Sequence, residues 1–159
     1  NLKKDVLEEK GGKTLGAFFR APLSMENEYG GFFFYSQHLA EMIMEVFGRY
    51  PKTVKATKNG NVVNVLVGYE NYNVNGMFVN NNYNYYVSRQ SEEGGYGMQF
   101  PIDGDSPCFY AEFNEFYQLL SGEEQKISYK DFIAPIFLLN AIDRAIKSGN
   151  EEVVKEFEL

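Results

Sequence analysis

The chain is poor in the residues that most metal and disulfide chemistry needs. Its 159 residues include one cysteine, Cys108, and one histidine, His38. A single cysteine excludes an internal disulfide, and one of each cannot build the usual Cys/His zinc site. Cations are also scarce: 15 Lys and Arg stand against 22 Asp and Glu, a net charge of −7. That balance disfavours a general nucleic-acid surface, which needs phosphate-neutralising side chains. No apolar run is long enough to span a membrane. No Asn-x-Ser/Thr acceptor occurs, and no signal-peptide pattern opens the chain. A reducing cytoplasm is the simplest home for such a protein.

What is present reads as globular. Hydrophobic residues make up 44% and charged residues 23%, outside the disordered range. A chain of this length suits one domain, or the second half of a two-domain enzyme, and buries roughly 70% of its unfolded surface. Asn1–Lys10 reads as the tail of a helix, with Leu2, Val6 and Leu7 as a thin apolar stripe and Gly11–Gly12 as its stop. It is either a frayed terminus or the end of something that begins upstream. Residues 1–12 are accordingly set apart from a domain over residues 13–159.

Within that domain Thr14–Arg20 reads as a strand, Pro22–Gly31 as a loop, and Phe32–Phe47 as an apolar helix closed by Gly48. Thr53–Lys58 and Val62–Glu70 form a hairpin through Asn59–Gly60, both expected at positive φ. Val63, Val65, Val67 and Tyr69 share one face. Asn73–Val79 and Tyr83–Arg89 continue around a turn at Asn80–Asn82, and Tyr96, Met98, Phe100 and Ile102 mark one more strand. Ser106 and Pro107 open a helix as N-cap and first residue, with Phe109, Phe113, Phe116, Tyr117 and Leu120 on one stripe and Gly122 as its end. Ser128-x-x-Asp131 is a capping box for a last helix that carries Pro135 and ends at Gly149. Val153–Phe157 reads as a final strand. The fold class is α+β: a largely antiparallel or mixed open sheet, read as a meander, with helices packed on one face. The other face mixes Asn64, Asn73, Asn75 and Tyr86 with Met77 and Val79. Two readings of that face stand, a partner surface or a solvated one.

His38 is the first candidate for chemistry. It stands mid-helix with Glu41 three residues on, within side-chain reach. A histidine oriented by a carboxylate suits proton transfer with a substrate hydroxyl; on an apolar helix it can equally be a packed core residue. Tyr29, Tyr35 and Arg20 lie near it in sequence and can hydrogen-bond a polyol. Gly94–Gly95–Tyr96–Gly97 runs into a strand, lacks the helix N-terminus that cradles phosphate, and reads as a turn. Asp103-Gly-Asp105 lacks the oxygen ligands of a calcium site. The pairs Glu92–Glu93, Glu123–Glu124 and Glu151–Glu152 read as solvated surface. Cys108, in a first helical turn, is either a packed small residue or a reactive thiol. No Gly-x-Ser-x-Gly elbow supports a serine hydrolase.

The run Gly30-Gly-Phe-Phe-Phe-Tyr-Ser-Gln-His38-Leu-Ala-Glu41 resembles the helix that opens the C-terminal domain of Gfo/Idh/MocA oxidoreductases. Gly11-Gly-Lys-Thr-Leu-Gly16 is similar to that domain's entry strand, and Leu119-Leu-Ser-Gly122 and Phe132–Gly149 resemble its later helices. The resemblance covers nearly the whole chain. It implies a dehydrogenase of sugars or polyols whose NAD or NADP is held by an N-terminal domain, with no cofactor or metal site in this chain. It implies His38 as the catalytic residue and Arg20, Tyr35 and Glu41 as substrate contacts. It also implies a homo-oligomer formed through the open sheet face. The family's aspartate four residues before the histidine falls on Phe34, which leaves open a non-catalytic, sugar-sensing or ligand-binding module of the same fold.

Overall fold

A computed structural model of the chain describes residues 2–101 and 108–155. Seven strands and four helices follow in chain order: α1 (Leu2–Leu7), β1 (Thr14–Leu23), α2 (Phe32–Phe47), β2 (Thr53–Asn59), β3 (Val62–Gly68), β4 (Asn73–Asn80), β5 (Asn84–Ser91), β6 (Gly94–Pro101), α3 (Cys108–Leu120), α4 (Tyr129–Ser148) and β7 (Glu152–Val153). Ser106, Pro107, Ile102 and the Asp103–Asp105 turn lie outside the described residues, as does the end of the expected last strand.

The strands form one mixed sheet in the order β6-β5-β1-β4-β3-β2-β7. The α+β expectation holds, but the meander does not. β1 inserts between β4 and β5, parallel to β4 and antiparallel to β5. The link after β4 reads as a hairpin turn because it is short and rich in Asn. It instead bridges the end of β1, where the Asn81 amide donates to the Leu23 carbonyl at 3.0 Å. Asn81 takes the positive φ (55°) that this bend needs, a conformation asparagine tolerates better than most residues. β1 also runs on through Pro22, expected as loop. Pairing with β5 has stopped at Arg20, so the missing proline N–H breaks no ladder bond on that side.

Two turns fall one step away from their sequence signals. Asn59 pairs with Val62, so the β2–β3 loop is Gly60–Asn61 and only Gly60 has positive φ; one such residue at the first loop position is the type II′ pattern. Gly94 and Gly95 are strand residues paired with Ser91 and Gln90, and the turn is Glu92–Glu93. β3 ends at Gly68, so Tyr69 leaves the strand, and its hydroxyl donates to Gly48 O at 2.8 Å.

Strand alternation decides the two faces. Phe19, Val65, Val67, Val74 and Phe78 are buried under α2 and α4, which contribute Leu39, Ile43, Met44, Leu138, Leu139 and Ile142. Each such side chain contributes about 1.5–3 kcal/mol on full burial. Gly76 lets α2 sit close: a Cβ there would meet Val65 Cγ2 at 2.5 Å and Leu39 Cδ2 at 3.2 Å. The opposite face carries rows in register, among them Asn64–Met77–Arg20–Tyr86 and Leu66–Asn75–Phe18–Ser88.

The capping box at α4 is present, with the Asp131 amide donating to Ser128 Oγ at 3.1 Å. Pro135 is buried inside this helix. It cannot donate to the carbonyl four residues back, and Arg49 Nη1 donates to that carbonyl, Asp131 O, at 3.0 Å. The stripe on α3 is the largest departure from the amphipathic expectation. Phe109, Phe113, Phe116, Tyr117 and Leu120 are all exposed.

Candidate functional site

The loop Ser24–Gly31 and the first two turns of α2 carry the candidate residues. Asn27 organises the loop. Its amide donates to Ser24 O (2.8 Å) and Gly31 O (3.0 Å), and its oxygen accepts from the amides of Tyr29 (2.9 Å) and Gly31 (3.2 Å). Gly30 and Gly31 have φ of 118° and 58°, values that favour glycine. The pair therefore turns the chain sharply into α2. The turn after β4 is tied to this loop, since the Met25 amide donates to Asn80 Oδ1 at 3.0 Å.

These two segments and the first turns of α2 bring five rings together. Tyr29 lies 5.1 Å from Phe34, Phe34 5.7 Å from Tyr35, Tyr35 5.3 Å from His38 and 5.7 Å from Tyr83, centroid to centroid. Most pairs meet edge to face, the arrangement favoured by ring quadrupoles. His38 is not a packed core residue: its side chain is 44% exposed. Core contact on this helix goes instead to Leu39, Ala40 and Ile43. His38 Nδ1 lies 3.9 Å from Glu41 Oε2, longer than a hydrogen bond and an ion pair only when the imidazole carries a proton on both nitrogens.

Partial desolvation pushes the Glu41 carboxyl above its ordinary range even though its side chain is 55% exposed; His38 and Arg49 partly offset this, and Glu112 of α3 adds to it. Tyr85, beneath the row, is pushed up to about 12 by burial and by neighbouring Tyr35. A groove of about 370 Å³ starts at Glu41 and runs over Met42, Arg49, Phe132 and Pro135; neither His38 nor Tyr35 lines it.

Of the residues singled out in sequence, His38, Tyr35 and Glu41 come together. Arg20 does not join them. It stands on the other sheet face, in register with Met77 and Tyr86, and its Nη1 donates to Asn84 O at 2.9 Å. Two contributors to the cluster, and one buried anchor outside it, escaped sequence reasoning. Tyr83 borders an Asn-rich turn, and Asn27 stands four residues before a glycine. Arg89 occupies an inward position of β5 after Tyr85 and Val87. It is fully buried, donating from Nε to Thr14 Oγ1 (2.8 Å), Nη1 to Lys10 O (2.6 Å) and Nη2 to Gly12 O (2.7 Å). It fixes the chain entering β1 rather than the ring cluster.

The chain's residues do not fit a dinucleotide. There is no Gly-x-Gly-x-x-Gly turn. The helix following the glycine pair opens with Phe32, Phe33 and Phe34, where close backbone approach to a pyrophosphate would need small residues. Among the described residues no helix is long and apolar enough to cross a membrane, and no group of three His, Cys, Asp or Glu could hold a metal ion.

Neither a protein-family model nor a curated protein matches the sequence. Solved structures do match in fold. A myo-inositol dehydrogenase from Corynebacterium glutamicum superposes with a TM-score of 0.77 at 12% identity, over 98% of this chain and 61% of its own. A scyllo-inositol dehydrogenase from Lactobacillus casei, with NAD(H) and scyllo-inositol bound, gives 0.76 at 14% identity, over 96% and 60%. An aldose-aldose oxidoreductase from Caulobacter crescentus, complexed with glycerol, gives 0.70 at 14% identity, over 96% and 59%. The chain thus spans about three-fifths of the dehydrogenases whose fold it shares.

Proposed function

We propose that residues 13–159 are the substrate-binding and oligomerisation domain of an NAD- or NADP-dependent dehydrogenase acting on a sugar or polyol. The nicotinamide cofactor is assigned to a preceding domain, which residues 1–12 would join to this one. The observation that carries the reading is His38, half exposed beside Glu41 on a wall of rings, in a fold shared with sugar and polyol dehydrogenases.

The role of this chain is confined to the substrate and one proton. Glu41 faces Nδ1 of His38, which leaves Nε2 for a substrate hydroxyl. His38 accepts the hydroxyl proton, the hydride on the alcohol carbon would pass to the nicotinamide held by the preceding domain, and Glu41 stabilises the imidazolium. The Tyr35 hydroxyl orients a neighbouring substrate oxygen. Arg20 acts from behind as a positioning residue, holding the turn that bears Tyr83. The mixed face of Phe18, Leu66, Met77 and Tyr86 suits a second copy, because a broad, half-apolar sheet face packs well on another sheet.

One observation favours a second reading, a non-catalytic sugar-sensing module. Phe34 stands one helical turn before His38, where the resemblance expects an aspartate. Expression of the complete reading frame, with NAD⁺ or NADP⁺ and a panel of inositols and aldoses, separates the two. Cofactor reduction supports the dehydrogenase. Sugar binding without reduction supports the sensor. Tight nicotinamide binding by the 159-residue chain alone would contradict the division of labour.

A further inference from the structure

The apolar stripe of α3 is too large to be left to solvent. Phe109, Phe113, Phe116 and Leu120 are between 56% and 71% exposed, and Tyr110 and Tyr117 beside them are exposed as well. At about 150–250 Å² for each aromatic side chain, the five rings alone present roughly 500–800 Å². The largest apolar patch on a typical monomer is about 300–600 Å², and one partner in a stable complex contributes about 800 Å². Isolated helices shorter than about 12–15 residues are also marginal in water. The 13 residues of α3 stand at that margin, so packing has to supply what length does not.

Three grooves share Ile127 and tie α3 to the rest of the molecule. One, of about 470 Å³, runs from Leu119 of α3 to Tyr129 and Phe132. The second is the groove that starts at Glu41, beside His38, and also reaches Phe132. The third, of about 510 Å³, opens toward Lys3 and Val6 of α1, and Lys3 pairs with Glu45 of α2. Helix α1, the Glu41 end of the substrate site and α3 thus border one junction. A domain joined through α1 that has to bring a nicotinamide to His38 passes over this junction, and α3 is the apolar surface it meets there. The solved dehydrogenases of this fold have about two-fifths of their length outside the part that this chain matches, which is room for such a domain.

Charge argues against a second copy as the cover. Between Cys108 and Gln125 stand Glu112, Glu115, Glu123 and Glu124, with no Lys or Arg. Two copies paired through α3 would bring these carboxylates together, and like charges across an interface are unfavourable.

We propose that the apolar stripe of α3 is the seat of the preceding, nicotinamide-binding domain, which packs on Phe109, Phe113, Phe116 and Leu120 and so brings its cofactor toward His38. This rests on the reading of the chain as the substrate-binding part of a dehydrogenase. The amphipathic pattern of α3 then marks a core shared by two domains.

The test is hydrogen-exchange mass spectrometry of α3 in the 159-residue chain and in the complete reading frame product. Amides of residues 109–120 are expected to exchange about tenfold more slowly in the complete product, because a covered helix opens less often. Phe113→Glu should leave the urea midpoint of the 159-residue chain unchanged, since its ring is exposed there, and should return α3 of the complete product to fast exchange. Phe116→Ser gives the same readout if the first variant of the complete product fails to fold. Equal exchange in the two proteins overturns the seat on α3, and cofactor reduction by the complete product then leaves the dehydrogenase reading standing. Exchange that is slow in the 159-residue chain and quickens on dilution assigns the face to a second copy and overturns the proposal. A complete product with no preceding domain overturns both.

Discussion

Arg20 and Tyr35 occupy opposite sides of the sheet yet engage the same turn. Arg20 Nη1 donates to Asn84 O at 2.9 Å, while the Tyr35 ring lies 5.7 Å from that of Tyr83, one residue earlier. A side chain that never faces the ring cluster therefore holds one of its members. Arg20→Ala should cost about 1 kcal/mol of stability, the net worth of one hydrogen bond. Its distinctive effect should be faster amide exchange confined to the turn around Tyr83, read by hydrogen-exchange mass spectrometry.

Arg89 is the most demanding buried group. Its guanidinium is fully buried and satisfies two carbonyls and a hydroxyl of the segment entering β1. Arg89→Met removes all three donors from the segment entering β1 and breaks three hydrogen bonds made by a charged group. A loss of about 3 kcal/mol is expected from these charge-assisted bonds, measured by urea denaturation.

Gly76→Ala tests the seat of α2 on the sheet. The added methyl would sit 2.5 Å from Val65 Cγ2 and 3.2 Å from Leu39 Cδ2. Overpacking of that kind costs about 1–3 kcal/mol, and thermal denaturation should show the loss.

Glu41 predicts a pH dependence. Its carboxyl is raised above the ordinary carboxylate range, chiefly by burial, so the folded state holds that proton more tightly than the unfolded chain. Stability from this group is therefore present below the unfolded value and declines as pH rises through the raised folded one. The Glu41 side chain is 55% exposed, so solvent screening keeps the effect small: Glu41→Gln should be marginally more stable than the wild type at neutral pH, with the difference vanishing in acid. Parallel melts at pH 4 and pH 7 check the sign.

Much of the scaffold was legible in the sequence because its signals are local. The helix over Phe32–Phe47, the capping box at Ser128 and the alternation of Val63, Val65 and Val67 all depend on near neighbours. The insertion of β1 was not legible, since an Asn-rich link reads the same whether or not another strand passes beneath it. Arg20 was misplaced for a related reason: proximity in sequence to α2 says nothing about which sheet face a strand residue takes until register is known. The apolar stripe on α3 reads as core-facing, yet periodicity reports only that a face is apolar, not that this chain covers it. His38, Tyr35 and Glu41 were found together because they share one helix. Tyr83 needed the long-range topology.

The most direct test is the rate of sugar or polyol oxidation by the complete reading frame product, comparing wild type with His38→Ala at saturating substrate. A fall of about 10²–10⁴-fold in kcat is expected for loss of a proton acceptor, with fold and cofactor affinity retained. An unchanged kcat in the folded variant would contradict the assignment of His38 to the reaction.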